Sequence, residues 1–113
     1  MKTWFGVGQY LLVLPDCHSL KDKRQRLRSI LARLHGDLGA SVSEVGLQDQ
    51  WQRAAIGVAF AASSETGIDR VLDRVVAIIE RDARVVVTDR TAIVDALDLQ
   101  DEGLAPGWDL LQD

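Results

Sequence analysis

Six basic residues crowd one short stretch. Between positions 18 and 33 the chain carries Lys21, Lys23, Arg24, Arg26, Arg28 and Arg33 against a single acidic residue, Asp22. Cations at this density suit an anionic partner, phosphate above all, because each contact releases bound counterions. At roughly 100° per helical residue, Lys21, Arg24 and Arg28 line one flank of an apolar stripe, and Lys23, Arg26 and Arg33 lie toward the other. Two rows of cations fit the paired backbones of structured RNA, read by shape rather than by base. The helix start adds free N–H donors near His18, Ser19 and Leu20 for one phosphate. The competing reading is a solvated helix whose long basic stems cover the edge of the core, with Arg24 paired to a carboxylate.

Other residues with chemical potential lead less far. Tyr10 and Trp51 are candidates for stacking on bases or anchoring a partner, and Trp108 for a contact made by the C-terminal tail. Cys17, His18 and His35 are the only soft metal ligands, and their spacing matches no zinc motif. Cys17 beside His18 has no third group to orient it as a nucleophile. Gly6-Val7-Gly8-Gln9 falls inside a strand, so it is no phosphate loop. The expectation is therefore a protein without catalytic residues, metal, cofactor or small-molecule substrate.

The elements that must position these residues follow from periodicity. Residues 3–14 read as a strand closed by Pro15-Asp16. A helix runs from about Leu20 to His35, opened by a Ser19/Asp22 capping box, striped by Leu20, Leu27, Ile30, Leu31 and Leu34, and ended by Gly36 or Gly39. Residues 41–48 and 53–62 read as a hairpin around Gln48-Asp49-Gln50-Trp51. Thr66 with Asp69 opens a second amphipathic helix reaching about Asp82. Residues 84–88 form a strand, and 92–97 extend it or form a further piece.

The order β-α-β-β-α-β predicts an α+β, ferredoxin-like fold: a four-stranded antiparallel sheet with both helices on one face. The other face is then open or covered by a partner. Strand alternation predicts Phe5, Val7, Leu11, Val13, Ile56, Val58 and Phe60 under the helices, with Gly6, Gly8, Tyr10, Leu12 and the Ala/Gly positions of 55–61 outward. Such a small-residue face admits a second sheet, so a homodimer through it or through an edge strand is expected. Gln9 on the covered side conflicts with that register.

Composition frames the rest. The 113 residues suffice for one domain, expected over 1–98, with an acidic tail at 99–113. The net charge of −4 conceals an asymmetry: residues 1–56 carry eight Lys/Arg against five Asp/Glu, and 57–113 five against twelve. One cysteine excludes an internal disulfide and fits a reducing, cytoplasmic setting. The longest apolar run, residues 54–62, is too short for a membrane span. The tail mixes acidic residues with Leu104, Trp108, Leu110 and Leu111, as an interaction segment does.

Four blocks carry a resemblance: His18-Ser19-Leu20-Lys21-Asp22-Lys23-Arg24, Val42-Ser43-Glu44-Val45-Gly46, Asp49-Gln50-Trp51-Gln52-Arg53-Ala54 and Ile56-Gly57-Val58-Ala59. In order and spacing over roughly residues 3–95 they resemble the YlxP-like bacterial family of unknown function. That resemblance implies a ferredoxin-like fold. It also implies a link to RNA or the ribosome, since such proteins are often encoded among genes for translation initiation and ribosome maturation. It supplies no catalytic residues. The expected function is binding of structured RNA or a ribosomal subunit through the first helix. The alternative is a homodimeric interaction module using the sheet face or the tail.

Overall fold

The computed structural model describes residues 1–100. The elements are β1 (Lys2–Val13), α1 (Leu20–Leu38), β2 (Ser41–Gly46), β3 (Arg53–Ala62), α2 (Glu65–Ile79) and β4 (Val86–Asp98). The sheet is antiparallel with strand order β2-β3-β1-β4, and both helices pack on one side of it. This is the ferredoxin-like arrangement expected from the sequence. The tail beyond residue 100, with Trp108, lies outside the described residues.

Helix α1 begins where the sequence places it. Ser19 is extended, and its hydroxyl accepts the Asp22 N–H at 3.1 Å. The Asp22 carboxylate in turn takes the backbone N–H of His18 at 3.4 Å. Gly36 stays inside the helix, and the left-handed Gly39 (φ 63°) ends it, returning its N–H to the His35 carbonyl. Helix α2 is capped by Ser64, not Thr66, because the Ser64 hydroxyl is the one that receives the Gly67 N–H. It stops at Ile79, short of Asp82. The last strand is continuous through Asp89-Arg90, where polar side chains hide it from a hydrophobicity reading.

The register of β1 is the reverse of the expected one. Gly6, Gly8, Tyr10 and Leu12 face the helices, and Phe5, Val7, Gln9, Leu11 and Val13 face the open side. The cause is the closeness of α2. A Cβ on Gly6 would sit 2.6 Å from Ile68 Cγ2, and one on Gly8 2.8 Å from the Tyr10 ring and 3.1 Å from Leu72. Only glycine lets the helix lie that near. Strand β3 keeps the predicted register: Ile56 and Val58 are buried under the helices, while Ala55, Gly57, Ala59 and Ala61 face outward. The core is completed by Leu27, Ile30, Leu34, Val75, Ile78 and Ile79.

Candidate nucleic-acid interface

The six cations of α1 divide into two groups. Lys23 is 1% exposed and points into the fold. Its ammonium donates to the Leu47 carbonyl at 2.6 Å and lies 3.1 Å from Glu44 Oε2. That oxygen is buried and makes no aligned hydrogen bond among the described residues, so its tie to Lys23 is mainly Coulombic. Leu47 is the one non-glycine residue with positive φ (59°) among those described, and its carbonyl also takes the Gln50 N–H at 3.0 Å. Lys23 therefore fastens a strained corner of the β2–β3 hairpin. As folded it is not available to a phosphate, which removes it from the expected RNA contacts.

Arg26 is likewise committed. It pairs with Asp16 and lies 3.7 Å from Asp82, while Arg84 reaches the same two carboxylates at 3.9 and 3.0 Å. Two arginines and two aspartates thus alternate in a closed ring joining the β1–α1 loop, α1 and the α2–β4 loop. The Arg26 hydrogen bond holds the Asp16 carboxyl below its usual range, and the Arg84 hydrogen bond does the same for Asp82.

Lys21, Arg24 and Arg28 are exposed, and Arg33 is half-buried; none has an ion-pair partner among the described residues. The first three fall within roughly 60° of helix circumference, facing away from the core. Arg33 stands on the ring side, lining a polar groove of about 800 Å³ with Arg26, Arg81 and Arg84.

The aromatic candidates also separate. Tyr10 is 2% exposed and donates its hydroxyl to the Leu72 carbonyl at 3.3 Å; burial pushes its pKa up. It is a core residue, contrary to its expected place on the open face. Trp51 is 53% exposed at the hairpin tip. It lines an open groove of about 740 Å³ with His18, Asp49 and Arg53. Neighbouring Gln52 fixes the tip, donating to the Pro15 and Cys17 carbonyls at 3.0 Å each. His18 thus places this groove beside the first turn of α1.

Cys17 is buried, and burial raises its thiol pKa, so it is no nucleophile as folded. Among the described residues no cluster of His, Cys, Asp or Glu has the geometry to hold a metal ion, and no helix is long and apolar enough to cross a membrane.

Sequence reading expected an open face but placed the large residues of β1 on the covered side. Val7, Val45, Val86, Ile93 and Leu97 are exposed on it, with Phe5, Leu11 and Val13 half-buried beside them. The signal was present in the odd-numbered positions of β1 and β4, which share that face by register.

Comparison with solved structures returns similar chains. They include a designed protein with a ferredoxin fold (8% identical, covering 91% of this chain and 92% of that one, TM-score 0.46). A dimeric ferredoxin-like protein of unknown function from Thermobifida fusca is 18% identical over 82% of this chain and 92% of that one, with TM-score 0.43. The uncharacterized protein YlxP of Bacillus subtilis is 39% identical over 75 residues, covering 66% of this chain and 82% of the relative. Residues 5–92 match the model of a protein family of unknown function, DUF503. The chain belongs to that family.

Proposed function

We propose that this chain is a non-enzymatic binding protein that holds structured RNA, such as that of a ribosomal subunit, on the outward flank of α1. The observation that carries this reading is that Lys21, Arg24 and Arg28 are exposed and have no ion-pair partner among the described residues, whereas Lys23 and Arg26 are committed to the fold. Cations on one rigid helix face meet successive phosphates at little ordering cost. Trp51 stacks on an unpaired base next to that track, with His18 and Arg53 beside it. The test is binding of purified ribosomal subunits by the wild-type chain and by a Lys21→Glu, Arg24→Glu, Arg28→Glu variant. The reading predicts at least a tenfold loss with unchanged thermal stability; equal binding by both would defeat it. Lys23 is kept native in that variant, because reversing it would unfasten the hairpin.

A second reading has its own observation. Ile93 and Leu97 are 68% and 67% exposed on the open sheet face, which favours association of two copies through it. Sedimentation as a dimer at micromolar concentration supports this reading, and sedimentation as a monomer contradicts it.

A further inference from the structure

Strand β4 lies at the edge of the sheet, so half of its backbone groups have no strand to meet. The Leu99 N–H donates to the Met1 carbonyl at 2.8 Å, and the β1–β4 register runs unbroken from there to the pair Leu11 and Asp89. The odd-numbered residues from Asp89 to Leu97 therefore bond to β1, and the even-numbered ones turn their N–H and C=O groups outward. Three outward donors are taken by carboxylates of the chain itself. The Arg90 N–H donates to Asp89 and the Ala96 N–H to Asp95, each at 2.8 Å. Beyond the register shift, the Val87 N–H donates to Glu80 at 3.0 Å. Carboxylates placed in this way block pairing with another long strand. Between them, Ala92 and Val94 have no such partner among the described residues, and their outward groups form a short open window.

The window borders a groove. Gly6 and Gly8 let α2 settle on β1, and they stand opposite Val94 and Ala92 in the sheet. The helix does not reach over β4, so Ala92 stays exposed and Val94 half-buried although both side chains point to the helix side. The space left is about 420 Å³, with Ala92 and Val94 on one side and Asp69, Leu72 and Asp73 of α2 on the other. Arg90 lies 3.8 Å from Asp73; Asp69 has no ion-pair partner among the described residues.

We propose that this groove binds an extended basic peptide of another protein as an added antiparallel strand. Its main chain would bond to Ala92 and Val94, and its side chains would be read by α2. The two peptide residues opposite Ala92 and Val94 are two apart, so both turn toward the helix. The one opposite Val94 lies at the level of Ile68 and reaches the Asp69 carboxylate, which calls for lysine or arginine. The one opposite Ala92 lies at the level of Leu72, which calls for an apolar residue. Charge favours the same occupant: Asp69, Asp73, Asp89 and Asp95 surround the window, and Arg90 is the one cation among the described residues lining the groove. A second copy's whole β4 would need the Arg90 and Ala96 donors, which are engaged; a short segment needs only the window. The groove lies beside α2, away from the outward flank of α1, so its test stands apart from the RNA reading.

The experiment titrates the ¹⁵N-labelled full chain with a capped peptide, Ser-Thr-Lys-Thr-Val-Thr-Ser. The inference predicts saturable shifts centred on the Ala92 and Val94 amides and on residues 69–73. It also predicts at least tenfold weaker binding by the same peptide N-methylated at its lysine and valine, and by an Asp69→Lys chain. Absence of saturable shifts at millimolar peptide would overturn the proposal. Equal binding by the N-methylated peptide would also overturn it, because no added strand could then be forming. Protection of both amides that rises with protein concentration, without peptide, would give the edge to a second copy and contradict the proposal.

Discussion

Strands β1 and β3 lie side by side and alternate large with small residues, yet their small residues serve opposite ends. In β1 the glycines face α2 and let it approach. In β3 Ala55, Gly57, Ala59 and Ala61 face away from the helices, and Gly57 leaves room for Val45 of β2, whose Cγ1 would lie 3.0 Å from a Cβ there. Small side chains therefore face the helices on one strand and the open side on the next. The same division separates Lys23 from Lys21, two residues apart on α1: one is inside and bonded, the other outside and free.

Lys23 should show the largest difference. Lys23→Ala leaves the Glu44 carboxylate and the Leu47 carbonyl without their cation and should cost about 3 kcal/mol. Lys21→Ala should stay within about 0.5 kcal/mol. Urea denaturation of both variants decides, and equal losses would erase the division. Next come the two strands. Gly6→Val drives a side chain into Ile68 and should cost about 1–3 kcal/mol, whereas Ala59→Val on the open face should cost less than about 0.5 kcal/mol in the monomer.

The smallest expected effect is that of acid on the ring of Asp16, Arg26, Asp82 and Arg84. Both carboxyls have folded-state pKa values held below the unfolded value of about 3.9. Their contribution is therefore complete above that value and is lost as pH falls through the folded values. Asp82→Asn should flatten the acid limb of a stability profile between about pH 5 and 2. An unchanged limb would show that the ring adds nothing measurable.

The order of elements was legible because helix stripes and the Ser19 cap are local signals. The register of β1 was not, since both of its faces carry apolar residues and only the distance to α2 settles which is covered. Lys23 was legible and misread: Leu27, Ile30 and Leu34 follow it at helical spacings of four, seven and eleven, so it shares their buried phase. The ring that Arg26 and Asp16 complete was not, because Asp82 and Arg84 come from a loop far along the chain.

The most direct test of the RNA reading is the salt slope. Affinity for a ribosomal RNA fragment, followed by fluorescence anisotropy across a salt series, should fall linearly on a log–log plot. Replacing Lys21, Arg24 and Arg28 together by alanine should make that slope shallower by about 2–3. An unchanged slope would mean that the outward flank of α1 meets no phosphate, and the claim would fail.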